Sequence, residues 1–139
     1  MSSILIECFK KNVMVTKVID FLIQLKNSSQ IFKTNFYIKK HVKFSNLLYI
    51  LYKTGFIQSF SITKNNFYCI KIRYYYNKPV LFYLKIFSKP SLSIYMSLLE
   101  ICKLPTKKLM FFFSTAKSGV ITQLDCKKQK TGGKLLFMC

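Results

Sequence analysis

Acidic residues are almost missing from this chain: four Asp and Glu stand against 23 Lys and Arg in 139 residues, a formal net charge of +19. Tryptophan is absent, histidine occurs once (His41), arginine once (Arg73), and there are only four glycines and three prolines. Each shortage excludes something. The acids Glu7, Asp20, Glu100 and Asp125 are scattered and never paired at a spacing suited to acid/base work. A Cys–His or Ser–His dyad would have to draw on His41, which sits in the run Lys39-Lys40-His41-Val42-Lys43 with no orienting carboxylate nearby. Neither G-x-x-x-x-G-K-[ST] nor G-x-G-x-x-G occurs. An enzyme is not expected. No apolar run reaches the roughly 18 residues that span a bilayer; Val80–Phe87 and Leu109–Phe113 are strand-length.

Cysteine is present but unorganised. The five cysteines (Cys8, Cys69, Cys102, Cys126, Cys139) form no C-x-x-C pair and are odd in number. Zinc needs four clustered ligands at short spacings, so no metal or other cofactor is expected. Free thiols in turn imply a reducing compartment.

What the chain does have is apolar residues, 51% of the total. A disordered basic tail cannot bury enough apolar area to offset chain entropy; this composition can build a core. The expectation is a folded body with a strongly positive surface. Self-repulsion of that charge is relieved by a polyanion, with nucleic acid first and an anionic membrane surface second. A peripheral membrane protein would need one helix with a basic face opposite an aromatic one, whereas the aromatics concentrate in alternating strand segments. Phe, Tyr, Met, Ile, Asn and Lys make up about half the chain. They share A/T-rich codons, which points to an AT-rich genome such as an organelle's. The N-terminus lacks the Arg-rich, acid-free pattern of a transit peptide and the charged start and cleavage site of a secretory signal. A protein that serves an organelle without such a peptide is expected to be made there.

Val15, Val18, Ile19, Leu22 and Ile23 recur at helical spacing, predicting a first helix that ends near Lys26-Asn27, with Ser28-Ser29 breaking it. Thr34–Ile38 reads as a strand. Ser45 is a plausible N-cap for a second helix carrying Leu47, Leu48, Ile50 and Leu51, closed by Gly55. After Gly55 the period becomes 2: strands at Phe60–Ile62 and Phe67–Tyr76 flank an Asn65-Asn66 turn, then Asn77-Lys78-Pro79 turns into a strand at Val80–Phe87. Ser88-Lys89-Pro90-Ser91 is the best boundary, dividing the chain into 1–87 and 88–139. Beyond it the pattern predicts a strand at Leu92–Tyr95, a short helix at Leu98–Leu104 and a strand at Leu109–Phe113. A polar loop at Ser114–Gly119, a helix at Thr122–Lys130, a Gly132-Gly133 turn and a last strand at Lys134–Met138 follow.

The loop Ser114-Thr-Ala-Lys-Ser-Gly119 joins an apolar strand to a helix. Its hydroxyls and backbone N–H groups can reach phosphates, 2′-OH groups and base edges, its glycine permits close approach, and the helix start adds positive potential. The plainer reading is an N-capping loop. Ser88-Lys-Pro-Ser-Leu-Ser-Ile-Tyr95, Ser114-Thr-Ala-Lys-Ser-Gly-Val-Ile-Thr122 and Gly132-Gly-Lys-Leu-Leu136 occur in this order, and together they resemble the signature of the universal small-subunit ribosomal protein eight family. Ile19–Asn27 and Leu47–Phe56 are similar to that family's first two helices. The resemblance runs from about Lys17 to Cys139. Ser91 departs from the family's glycine and Lys134 from the bacterial glutamate, and the 114–119 loop is one residue longer. The family's hydroxyl positions therefore fall either on Ser114, Thr115 and Ala116 or one place toward Ser118.

The resemblance implies an α+β fold: two small α+β subdomains packed together in layers α/β/β/α, the first helix-strand-helix plus antiparallel strands, the second mostly β with a short helix. It implies a structural protein that binds the central domain of small-subunit ribosomal RNA through the second subdomain and supports subunit assembly and translation. Neighbouring ribosomal proteins are further partners, and there is no small-molecule substrate. By carry-over Ser114, Thr115, Lys117 and Gly119, with Ala116 and Ser118 between them, form the reading loop. Ser88, Lys89, Pro90 and Tyr95 shape or touch the RNA face. Lys26, Lys39, Lys40 and Lys43 are phosphate candidates on charge alone; a solvated basic face explains them equally well. With the codon bias, the mitochondrial ribosome is the expected location and the plastid the alternative.

Overall fold

The computed structural model describes residues 2–41, 44–89, 91–106, 110–114 and 119–139. The first half builds helix α1 (Ser2–Gln30), strand β1 (Asn35–Lys39), helix α2 (Phe44–Lys53) and strands β2 (Ile57–Ile62) and β3 (Phe67–Ile72). β3 is central in an antiparallel sheet of order β1-β3-β2. Period-2 alternation puts Tyr68, Ile70 and Ile72 of β3 inward, where they meet Phe36 and Ile38 of β1 and Phe44, Leu47, Leu48 and Leu51 of α2 in one core. Gly55 closes α2 in the left-handed region at φ +84, with Phe56 N–H donating to Leu51 O and Gly55 N–H to Tyr52 O. Only glycine enters that region without strain, as the sequence implies.

α1 departs from expectation at its end. Ser28 and Ser29 are buried inside the helix, and the Ser29 hydroxyl donates to Lys26 O at 2.6 Å. A serine that bonds back to its own helix does not compete with it. The helix instead closes on Phe32, at φ +57, whose ring stacks on Tyr74 with centroids 5.9 Å apart. α2 likewise begins at Phe44, so Ser45 lies within its first turn and does not precede it.

The predicted strand Val80–Phe87 is also different. Strands β4 (Tyr74–Tyr75) and β5 (Lys78–Pro79) form a small hairpin around Tyr76-Asn77, followed by a 3-10 turn at Val80–Tyr83 and the short strand β6 (Lys85–Ile86). Leu81 and Leu84 are buried while Phe82 and Tyr83 face solvent. That spacing of 3 fits a 3-10 turn and not a strand.

The second half holds strand β7 (Tyr95–Met96), helix α3 (Leu98–Lys103), strands β8 (Met110–Ser114) and β9 (Val120–Thr122), helix α4 (Gln123–Gln129) and strand β10 (Gly133–Met138). β10 is the hub of its sheet, flanked by β6 and β7 on one side and β8 on the other, with β9 outside β8. Of the predicted strand Leu92–Tyr95 only Tyr95 lies in β7, and Leu92 is spent on a bridge to Lys89. β9, whose Val120 and Ile121 fall between the expected loop and helix and whose Thr122 is the expected helix start, makes the 114–119 segment the link of a β8–β9 hairpin rather than of a strand and helix.

A bulge after Leu135 breaks the alternation of β10. It lets Leu136 and Phe137 both join the main core, where Phe137 stacks on Phe111 at 4.4 Å, while Leu135 joins Ile101, Ile121 and Cys126 in a second cluster. The main core therefore runs from α1 and α2 through to β8, β9 and β10. The architecture is α+β, with helices packed on antiparallel sheets of three and five strands beside the small β4–β5 hairpin among the described residues, as expected. No helix among the described residues is long and apolar enough to cross a membrane.

Candidate nucleic-acid interface

β10 gathers the three marked segments at its first residues. Gly133 pairs with Met96 of β7 on one side and with Ser114 of β8 on the other; Lys134 pairs with Tyr95 and with Phe113. Tyr95, the Gly133-Lys134 step and the start of the 114–119 loop thus stand side by side across three strands. This juxtaposition needs Gly132: a Cβ there would lie 2.7 Å from Met96 O, so a side chain would push β7 off the sheet.

Lys134 was not anticipated as a site residue. It is 5% exposed in a strand of buried neighbours, and burial holds its ammonium pKa below the ordinary lysine value. Its Nζ lies 6.0 Å from the Tyr95 ring centroid, a cation–π placement that partly offsets lost hydration. Tyr95 itself is exposed. The available signal was a lysine interrupting an apolar strand directly after two glycines.

The 114–119 loop is anchored at its exit. Gly119 adopts φ +73, and a Cβ on it would sit 3.0 Å from Asn46 Nδ2 of α2. That amide donates to Val120 O at 3.1 Å, fixing where the loop rejoins the sheet. Thr115, Ala116, Lys117 and Ser118 lie outside the described residues, as do Pro90 and Lys43. The start of α4 is already occupied: Thr122 caps it, accepting from Asp125 N–H and donating to Asp125 Oδ2 at 2.8 Å. A carboxylate there uses the positive end that sequence reading offered to phosphate. Glu100 does the same for α3 in a capping box with Ser97.

Ser88 is fully buried. Its hydroxyl donates to Leu135 O and accepts from Ile94 N–H at 3.4 Å, tying the 88–94 turn to β10. It shapes the face from beneath, whereas Lys89 is exposed on the turn, bridged through its backbone to Leu92. Lys26 has a different partner: its Nζ donates to Leu84 O at 2.8 Å and lies beside Cys139. That amine links α1 to the 3-10 turn. Lys39 and Lys40 are exposed at the end of β1 in the other sheet, where Lys40 N–H donates to Asn66 O. No group of His, Cys, Asp and Glu among the described residues could hold a metal ion.

Comparison with known proteins fits this arrangement. The family model for ribosomal protein S8 matches residues 16–139. The chain is 32% identical over 126 residues to small ribosomal subunit protein uS8 of Vesicomyosocius okutanii, covering 86% of this chain and 92% of that one. It is 34% identical to uS8c of Anthoceros angustus, covering 66% and 72% of the two chains. With uS8m of Acanthamoeba castellanii it shares 33% identity, covering 66% and 73%. Matched along nearly its whole length, with the three marked segments brought together on one strand, the chain belongs to the ribosomal protein S8 family.

Proposed function

We propose that this protein is a structural component of the small ribosomal subunit that binds the central domain of its ribosomal RNA, supports assembly and translation, and works in mitochondria. The observation that carries the reading is the adjacency of Tyr95, Gly133-Lys134 and Ser114 across β7, β10 and β8. Its relatives are named as small ribosomal subunit proteins in bacterial, plastid and mitochondrial forms. The AT-coded composition favours an organelle.

The charge divides into two jobs. Exposed lysines such as Lys39, Lys40 and Lys89, with Lys43, attract and neutralise phosphate without reading sequence. Selection rests on the 114–119 loop, with Ser114, Thr115, Ala116, Lys117, Ser118 and Gly119 meeting 2′-OH groups and base edges, and on Tyr95 beside it. Ser88 holds the adjoining turn, and Pro90 belongs to the same marked segment. The division into an N-terminal subdomain (1–87) and an RNA-binding one (88–139) goes with this reading. β1, β2 and β3 form a sheet wholly within the first, while β6 reaches across the boundary to β10. The chain is read as non-catalytic: two of its four acids, Glu100 and Asp125, are engaged with the N-cap residues Ser97 and Thr122 at the starts of α3 and α4.

Filter binding to a central-domain RNA fragment across a salt series tests this. Each phosphate neutralised adds roughly 0.7 to 0.9 to the slope of log K against log salt. Tighter binding to the central-domain stem than to an unrelated stem at every salt is expected; equal affinity for both would sink the specific-site claim.

A further inference from the structure

Away from the β10 face, aromatic rings gather at one place where nothing in the core requires them. Tyr75, Tyr76 and Tyr83, with Arg73, Lys78, Gly55, Pro79 and Val80, line a cleft of about 570 Å³ between the β4–β5 hairpin and the 3-10 turn. These tyrosines are 65%, 84% and 71% exposed. The rings of Tyr75 and Tyr76 meet edge to face with centroids 4.4 Å apart, which leaves ring surface uncovered. The chain's single arginine sits in the same cleft. Arg73 Nη1 lies 3.4 Å from Gly55 O, and a Cβ on Gly55 would approach Nη1 to 3.2 Å, so that glycine gives the guanidinium its seat.

Tyr76 is the odd residue. It occupies the first position of a two-residue hairpin turn at φ +47, with Asn77 at φ +60. Such turns favour Asn or Gly at both positions, and a bulky ring there is strained. Strain kept at an exposed position has a functional reading.

The geometry points to a stacking site for unpaired RNA bases, built from Tyr76, Tyr75 and Tyr83, with Arg73 and Lys78 meeting the flanking phosphates. Exposed rings joined to cations are what unpaired nucleotides need, because every base offers a π-face and every phosphate a negative charge. The cleft falls in the size range of small-ligand sites, roughly 300–1,000 Å³, which suits single nucleotides and not a duplex. Among the described residues no carboxylate lines it, so its charge matches a polyanion. The site rests on the reading that the partner is RNA, but it lies apart from the face that selects the central-domain stem.

The test uses the full chain with labelled hexaadenylate RNA followed by anisotropy, beside filter binding to the central-domain stem. Tyr76→Asn removes the ring while placing in the turn a residue that accepts positive φ, so the urea midpoint is expected to hold or rise. Hexaadenylate affinity is expected to fall about 5- to 150-fold, the range for losing one stacked base. Tyr83→Leu is expected to fall in the same direction, and an abasic hexamer to bind the wild type at least about ten-fold more weakly than hexaadenylate. Stem affinity stays within about two-fold in both variants. Unchanged hexaadenylate affinity in both variants overturns the site, including the case in which the cleft serves a protein instead. Equal binding of the abasic hexamer overturns it too, since phosphate attraction alone then suffices. If the stem is not bound but hexaadenylate binding depends on Tyr76, the ribosomal reading fails and this site stands.

Discussion

Gly132→Ala tests how the β10 face is held together. The added methyl would meet Met96 O at 2.7 Å, with Ser97 Cα at 3.4 Å and Leu98 N at 3.5 Å behind it. Close C···O contacts in sheets settle near 3.3 Å, so the backbone must separate by about 0.6 Å. The atom in the way is main chain, and no rotamer change relieves it. β7 pairs with β10 through two residues only, so it is the element that yields, carrying Tyr95 away from Lys134. Overpacking of this kind costs about 1–3 kcal/mol. With a urea slope near 1–3 kcal/mol/M, the midpoint is expected to fall by about 0.3–3 M. Affinity for the central-domain stem is expected to fall with it, under conditions where the variant is still folded by circular dichroism. A midpoint within experimental error of wild type, with unchanged stem affinity, would refute the close approach and the role given to β7.

Lys134→Met is expected to separate stability from binding. Burial lowers the folded-state pKa of Lys134 below its unfolded value, so the folded protein binds fewer protons and stability rises with pH through the window just below the ordinary lysine value of 10.5. The methionine variant is expected to flatten that rise, to melt higher at neutral pH and to bind the stem more weakly; a lower melting point would contradict the burial argument. Replacing Ser114–Ser118 by alanines is expected to reduce both affinity and selectivity for the stem, while replacing the exposed Lys89 by alanine mainly lowers the salt slope by about one phosphate's share. Among the described thiols, Cys102 is exposed whereas burial pushes Cys126 and Cys139 up to about 11. Alkylation at pH 8 followed by peptide mapping is expected to label Cys102 first and the other two only on unfolding; early labelling of Cys126 would show that the second core cluster opens.

Much of the fold was legible because its signals are local. Gly55 marked the end of α2, period-2 alternation marked β3, and the Gly132-Gly133 step marked the entry to β10. The misreadings have physical causes. An apolar run such as Val80–Phe87 has no periodicity that separates a strand from a 3-10 turn until one knows that Leu81 and Leu84 are the buried pair. Ser29 looked like a helix breaker because its bond back to Lys26 O depends on burial of the helix end. The strand β9 is only three residues long and is defined by pairing with β8, a non-local fact. At the site, the marked segments were visible as motifs. Their meeting at Gly133-Lys134 was not, nor was the support from Asn46, which is 74 residues before the carbonyl it holds. Lys26 shows the converse: its charge suggested phosphate, and its structural bond to Leu84 O could be seen only in three dimensions.

The central claim is that the β7–β10–β8 edge faces the RNA. Ultraviolet cross-linking of the protein to a central-domain RNA stem, followed by mass mapping of the cross-linked peptides, tests it most directly. The account predicts cross-links in the peptides carrying Tyr95, residues 114–120 and Gly133-Lys134. Cross-links confined to the β1–β3–β2 sheet, with none on those three segments, would contradict it.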